Sequence, residues 1–311
     1  MEVLHEGEPV ELPGGSAVAV GTFDGVHVGH RALLLETCRQ AGNLGATPVV
    51  AIFDRHPASV VRPESAPRLL TDLGQRISLL GQTGIELCYV VRFDEERSLQ
   101  EPEQFVDEVV IGALNAKAMV MGEDFHFGRR RRGDTALLAN LEATYGFKVL
   151  AIPLVSLPNL GGPVSSTRVR EALALHDIEL ASALLGREHE VRGVVEHGDH
   201  RGRTIGFPTA NVAVPGDVML PFDGVYAGWY ERSDGSVWPA AINLGRRPTF
   251  YDENGLRLLE AHLLDFDDDL YGERAKVRFG RWIRGEVKFP GIDALVEQLH
   301  RDVKTARAML A

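Results

Sequence analysis

Near residue 186 the hydrophobic pattern of the chain changes, and this change constrains the fold more than any other feature. Before it, short apolar runs alternate with segments of helical period. Residues 18–22, 48–53, 87–93, 118–121 and 148–152 read as strands, and residues 28–40, 73–83, 105–114 and 135–145 as the helices between them. Strands alternating with helices imply an α/β parallel sheet that binds ligand beyond the strand carboxyl ends. Two short helices, 167–175 and 178–185, follow. After them come short runs at 191–196, 224–230, 237–244, 258–264 and 275–283, punctuated by Gly, Pro and Asp, and an amphipathic helix at 292–308. That texture predicts an antiparallel barrel or sandwich closed by a helix. Two domains are expected, 1–185 and 186–311, which suits a chain of 311 residues.

Composition narrows the function. A hydrophobic fraction of 44% with 25% charged residues fits globular packing. A formal charge of −11 argues against a nucleic-acid or anionic-membrane partner, both of which need a net basic surface, so any phosphate site must be local. The concentrated basic run, 129–132, reads as a solvated loop. The first sixteen residues lack the basic start and apolar core of a secretory signal, and no apolar run approaches membrane-spanning length. Cys38 and Cys88 have no CxxC spacing and read as buried free thiols, as expected in a reducing cytoplasm.

The segment Gly21-Thr22-Phe23-Asp24-Gly25-Val26-His27-Val28-Gly29-His30 lies where the first strand hands over to the first helix. A helix amino terminus offers unpaired N–H groups and a positive dipole end, and glycines let the backbone approach an anion, so this position suits phosphate. His27 and His30 can face one side of the opening turn and direct two N–H donors at phosphoryl oxygens. Zinc is the rival reading, although the pair lacks the HExxH spacing and no third ligand is obvious nearby. A purely structural histidine pair is the other alternative.

GTFDGVHVGH resembles the HxGH signature of nucleotidylyltransferases, in the form found in the adenylyl-transfer domain of bifunctional riboflavin kinase/FAD synthetases. Leu69-Leu70-Thr71, Phe93-Asp94, Gly122-Glu123-Asp124-Phe125-His126-Phe127-Gly128 and Ser165-Ser166-Thr167-Arg168-Val169-Arg170 agree with that domain in order and spacing. The resemblance implies a Rossmann-like nucleotidylyltransferase domain in which Gly21, Phe23, Asp24, Gly25, His27 and His30 bind ATP. It also implies a polar contact from Asp124 and a place for Phe127 beside the isoalloxazine, although both Phe125 and Phe127 would ordinarily be core residues. Ser165, Ser166 and Thr167 before a helical run read locally as an N-cap. The resemblance adds contacts from them, and from Arg168 and Arg170, to the ATP phosphates and departing pyrophosphate, and the two roles coexist. Where the family usually has TFxPHP this chain has Ile52-Phe53-Asp54-Arg55-His56-Pro57, losing a hydroxyl and gaining a guanidinium. Gln75 stands where a glutamate is common and reads as a helix-surface substitution.

In the second half, Gly202-Arg203-Thr204-Ile205-Gly206-Phe207-Pro208-Thr209-Ala210-Asn211 is consistent with an ordinary turn. The less favoured reading from spacing alone has the glycines admitting ATP phosphates while Thr209 and Asn211 offer neutral oxygens to Mg²⁺. GRTIGFPTAN resembles the riboflavin kinase signature. It is followed in order by Phe222-Asp223-Gly224-Val225-Tyr226-Ala227-Gly228, Asn243-Leu244-Gly245-Arg246-Arg247-Pro248-Thr249-Phe250, Glu260-Ala261-His262-Leu263-Leu264-Asp265-Phe266 and Asp269-Leu270-Tyr271-Gly272. The resemblance implies a small antiparallel β-barrel riboflavin kinase domain with a C-terminal helix. It places ATP at Gly202, Arg203, Gly206, Phe207, Pro208, Thr209 and Asn211, metal at Thr209 and Asn211, and the catalytic base at Glu260. On pattern alone Glu260 is a solvent-facing strand acid, and residues 265–269 are an exposed acidic turn. Asp302 and Arg307 match a terminal-helix pattern associated with flavin contact, with helix-surface charge as the alternative.

Together the two sets imply flavin cofactor biosynthesis. Riboflavin receives the γ-phosphoryl group of ATP, giving FMN. FMN then attacks the α-phosphorus of a second ATP, giving FAD and pyrophosphate, with Mg²⁺ supporting both steps. The implied partners are small molecules, neither nucleic acid nor membrane, and the sequence leaves open whether the chain forms a homo-oligomer.

Overall fold

Ala17, Val18, Ala19 and Val20 are at most 3% exposed, as expected only of a central strand covered on both faces. They belong to β2 (Ser16–Gly21) in the computed structural model, which describes residues 1–198, 201–246 and 257–311. Its sheet also contains β1 (Glu2–His5), β3 (Thr47–Phe53), β4 (Leu87–Val91), β5 (Ala116–Gly122) and β6 (Lys148–Ile152). The strand order is β1-β4-β3-β2-β5-β6 and every pairing is parallel.

The period of two along each strand sorts side chains to opposite faces. Val18, Val20, Val49, Ala51, Met119 and Met121 share a core with Phe105, Val109 and Leu138. Ala19, Val50, Ile52 and Val120 share the other with Leu33, Leu34, Leu79 and Leu80. The covering helices are Val28–Leu44, Leu73–Leu80, Thr135–Tyr145 and an α-helical turn at Pro102–Phe105 that continues as a π-helix over Val106–Ala113. From β2 the chain steps outward to β3 and β4, then returns to the other side of β2 as β5. That reversal makes the carboxyl ends of β2 and β5 a topological switch point, the usual ligand position in open α/β sheets.

The chain divides into two units, Met1–Ser166 and Thr167–Ala311. In the second, β7 (His189–Glu196), β8 (Ala210–Ala213), β9 (Gly224–Glu231), β10 (Val237–Arg246), β11 (Arg257–Leu263) and β12 (Arg274–Arg284) form a closed barrel, ordered β10-β11-β8-β7-β12-β9. All six pairings are antiparallel. Alternation again sets the interior: Val191, Val195, Val212, Ile242, Leu244, Leu259, Ala261 and Val277 are buried. Helices Ser166–Ala174 and Ile178–Leu185 precede the barrel, and Ile292–Leu310 follows it.

The barrel resolves the choice between barrel and sandwich that the sequence leaves open. The strand at β1 was not anticipated, nor was β8, whose first residues lie inside the segment read as a turn. The Arg247-Pro248-Thr249-Phe250 part of the second motif set lies outside the described residues. Among the described residues no helix is long and apolar enough to cross a membrane. Both cysteines are free; Cys88 is buried and Cys38 half-buried.

Candidate active sites

The first site is the turn between β2 and helix Val28–Leu44. Phe23, Gly25 and Val26 all have positive φ (48°, 83° and 39°), which folds the turn back on itself. Asp24 holds it there. Its carboxylate, 1% exposed, accepts hydrogen bonds from the backbone N–H of Leu70 (2.9 Å) and Thr71 (3.0 Å) and from the Thr71 hydroxyl (3.2 Å). The Gly25 N–H donates to Thr71 Oγ1 at 3.0 Å, and Ser166 Oγ donates to the Asp24 carbonyl at 2.9 Å. The structure therefore gives Asp24 an anchoring place beneath the turn.

His27 is the N-cap of the helix: its Nδ1 accepts the His30 backbone N–H at 3.2 Å. Accepting there requires Nδ1 to be unprotonated, which leaves the ring proton of the neutral imidazole on Nε2 as a donor. The His27 and His30 rings stack with centroids 3.5 Å apart and planes 14° apart, and Phe23 meets His30 edge-on at 5.1 Å. A Cβ at Gly29 would lie 3.2 Å from His27 Cε1, so the glycine between the histidines leaves room for the ring. Burial, then the neighbouring His27 and Arg76, hold the His30 pKa well below the ordinary imidazole value. At neutral pH His30 is an uncharged donor.

The neighbouring strand end, β5, delivers Asp124 to an exposed position. Phe127 is 8% exposed and packs on Phe125 (5.4 Å) and Phe105 (5.9 Å), so its ring is part of the core. Ser165 and Ser166 are half-buried, Thr167 is exposed, and Arg168 and Arg170 are half-buried. In the departing segment, Asp54 accepts the Phe93 N–H at 2.9 Å, and Arg55 folds onto Asp54 at 3.0 Å. One reading needs correction: Gln75 is 2% exposed and lies inside the unit, because its helix presents that position inward.

The basic run is a short 3-10 turn, Arg129–Arg131. Arg129 and Arg132 pair with Glu101 at 3.2 and 2.7 Å, while Arg130 and Arg131 are exposed with φ of 52° and 59°.

The second site is on the outer face of the barrel. Buried Leu259 and Ala261 turn Glu260 outward, where it is half-buried. Its cross-strand partners are Asn211 on β8 and Asn243 on β10, and Asn211 in turn faces Glu196 on β7. Directly opposed residues share a face, so Glu196, Asn211, Glu260 and Asn243 form one polar row across four strands. The glycine motif adjoins it. A Cβ at Gly202 would lie 2.3 Å from the Phe207 carbonyl and 3.6 Å from Thr209 Oγ1; Gly206 has φ of 86°. Arg203 and Pro208 are exposed and Thr209 half-buried. Phe207 is held between His262 (5.4 Å) and His300 (4.9 Å), and His262 Nδ1 lies 2.8 Å from the Pro208 carbonyl.

A family model described as FAD synthetase matches residues 10–168, and one described as riboflavin kinase matches residues 185–310. A bifunctional riboflavin kinase/FMN adenylyltransferase of Haemophilus influenzae is 37% identical over 295 residues, covering 94% of each chain. The chain belongs to the bifunctional riboflavin kinase/FMN adenylyltransferase family. The Bacillus subtilis member is 36% identical over 313 residues, covering 98% of this chain and 97% of its own. A crystal structure from Streptococcus pneumoniae, described as a macrolide-efflux protein, superposes with a TM-score of 0.86 at 30% identity over 99% of both chains.

Within this family frame, two implied flavin contacts are already engaged. Asp302, 3% exposed, accepts from Arg284 Nε (2.9 Å) and Nη2 (2.6 Å) and from Gln298 Nε2 (2.7 Å). Arg307 is exposed and pairs with Asp265 at 2.7 and 3.0 Å. Two side chains beside the sites, Arg76 and Glu196, were not singled out from sequence, and Thr71 and Asn243 stood there only as members of quoted motifs with no role attached. Glu196 becomes visible only through strand register. Arg76 carried a signal, because it falls on the stripe of Leu73, Ile77 and Leu80, where a cation is out of place.

Proposed function

We propose that the chain makes FMN on the outer face of the barrel and FAD at the His27–His30 turn, with the domains taken as 1–185 and 186–311. In the first step Glu260 orients the riboflavin 5′ hydroxyl and accepts its proton as the oxygen attacks the γ-phosphorus of ATP. The observation that carries this assignment is the register placing Glu260 directly between Asn211 and Asn243 on one open face. Gly202, Arg203, Gly206, Phe207 and Pro208 form the wall along which the nucleotide lies.

Mg²⁺ suits this donor set. Thr209 and Asn211 present neutral oxygens beside a carboxylate, the hard ligands this ion prefers. Among the described residues no group of three or more His, Cys, Asp or Glu converges to hold a metal; Mg²⁺ commonly takes one or two protein ligands and completes its shell with phosphates and water. When bound, it offsets phosphate charge in the kinase step.

In the second step the FMN phosphate attacks the α-phosphorus of another ATP. His27 and His30, as neutral donors at a helix start, hold the oxygens on which charge develops; the family motif Ser165, Ser166, Thr167, Arg168 and Arg170 is assigned the departing pyrophosphate, its Ser166 being bonded to the Asp24 carbonyl of the turn. Gly21, Phe23 and Gly25 shape the turn that receives ATP. Asp24 supports that turn from below, and Asp124 is placed to meet the nucleotide from the next strand. Phe127 contributes to the flavin side by backing Phe125. Asp302 positions Arg284 at the flavin end of the barrel, and Arg307 is available there once released from Asp265. The chain acts on small molecules in the cytoplasm.

The test is a time course with riboflavin and Mg-ATP, separating flavins by chromatography. FMN should rise first and FAD follow at its expense. Flavin binding without turnover, or FAD appearing only from supplied FMN, would refute the assignment of both steps to this chain.

A further inference from the structure

Beneath the His27–His30 turn lies a guanidinium with little to hold it. Arg76, on helix Leu73–Leu80, is 1% exposed. Its Nη1 donates to the Thr22 carbonyl at 2.7 Å and reaches the Phe53 carbonyl at 3.5 Å; its Nε has no partner. These carbonyls lie at the carboxyl ends of β2 and β3, where the sheet hands over to the site. Arg76 forms no ion pair among the described residues. Burying a cation costs several kcal/mol unless it is paired, and an arginine cannot escape by losing its proton. A residue serving packing alone would be apolar here, like Leu73, Ile77 and Leu80 on the same stripe.

We infer that Arg76 is a positioning residue for adenylyl transfer: its buried, permanent positive charge, set behind the turn, stabilises phosphate charge there and fixes the Thr22 carbonyl. The inference rests on the proposed FMN-to-FAD step at this turn. It also explains why the histidines can act uncharged, since the cation of the site is supplied by a group that does not titrate. The groups acting on His30 are His27 on the same helix start and Arg76 from the helix below; those acting on Arg76 in turn are Asp24 in the turn, Cys88 on β4, Asp72 at the start of its own helix and Asp54 after β3. Arg76 is among the groups that keep His30 neutral, so removing it raises the His30 pKa and extends protonation to higher pH.

The experiment compares wild type, Arg76→Met and Arg76→Lys for FAD formation from FMN and Mg-ATP across pH, with FMN formation from riboflavin as the control. Arg76→Met should lower kcat for FAD formation by about tenfold to a hundredfold and move the acid limb of its pH profile to higher pH, leaving FMN formation unchanged. Arg76→Lys, which keeps the charge, should restore most of kcat and the original acid limb. Folded Arg76→Met with wild-type kcat and an unmoved limb would overturn the inference, as would a lysine variant as impaired as the methionine one. Should Arg76→Met fail to fold, the lysine variant and an NMR titration of His30 in labelled wild-type protein decide the matter: an imidazolium at pH 7 would overturn it. Wild type that makes no FAD would instead refute the underlying step, so the two failures are distinguishable.

Discussion

Replacing Asp24 by alanine tests whether this carboxylate is an anchor. It accepts two backbone N–H groups and one hydroxyl from the Leu70–Thr71 segment in a region closed to solvent. Its removal strands these donors, and a buried donor left without an acceptor costs about 1–3 kcal/mol. With partial relaxation the sum is about 3–5 kcal/mol, a large share of the 5–15 kcal/mol that typically stabilises a domain. For a unit of this size that corresponds to a fall of about 10 °C in the midpoint of unfolding. Asp24→Asn, which keeps one acceptor oxygen, should lose about half as much. The assay follows from where the tryptophans lie. Trp229, Trp238 and Trp282 are all in the second unit, so their fluorescence follows the barrel. Hydrogen exchange of the β2 and β3 amides follows the first unit. Exchange in β2 and β3 should accelerate strongly while the tryptophan transition stays in place. Unchanged exchange in Asp24→Ala would refute the anchoring role.

Three further outcomes follow from the same reasoning. Asp302→Ala leaves Arg284 without its bidentate partner and should cost the barrel about 3–4 kcal/mol, read as a lower urea midpoint of tryptophan fluorescence; an unchanged midpoint would contradict the clamp. Arg130 occupies the left-handed region with its side chain exposed, so Arg130→Gly should stabilise the first unit by about 1 kcal/mol, measured by hydrogen exchange, and destabilisation would count against the turn geometry. Burial pushes the Cys88 thiol up to about 12, so at pH 8 almost no thiolate is present and Cys88 should react with a disulfide reagent only on unfolding. Rapid labelling of Cys88 in native protein would contradict its placement.

The fold was legible wherever hydrophobic period and element length agreed. The helix at Thr135–Tyr145 and the strand at Lys148–Ile152 fall where the sequence predicts them. By contrast, β1 is four residues at a sheet edge and too short to show alternation. Strand β8 begins inside a glycine- and proline-marked segment, and its pairing with β7 and β11 is a property of the closed barrel. The π-helix over Val106–Ala113 keeps a helical apolar pattern, so periodicity found the helix and missed its widening.

At the sites, the motifs located the turns while the structure supplied the partners. His27 was legible as a residue of the glycine-bearing turn that opens the first helix, but its capping bond to the His30 N–H depends on the rotamer and ring orientation. Asp24 stands among glycines and looks ligand-facing in sequence; only the approach of Leu70 and Thr71, more than forty residues on, shows that it faces inward. The polar row through Glu260 joins residues from four strands, and nothing local in any of them sets that register.

The most direct measurement of the two-site account is a crossed product assay on Glu260→Gln and on the His27→Ala, His30→Ala double variant. The glutamine variant should lose FMN formation by about a hundredfold or more and still convert supplied FMN to FAD. The double variant should accumulate FMN and stop there. If each variant, shown to be folded, loses both activities together, the two reactions do not occupy the separate sites described.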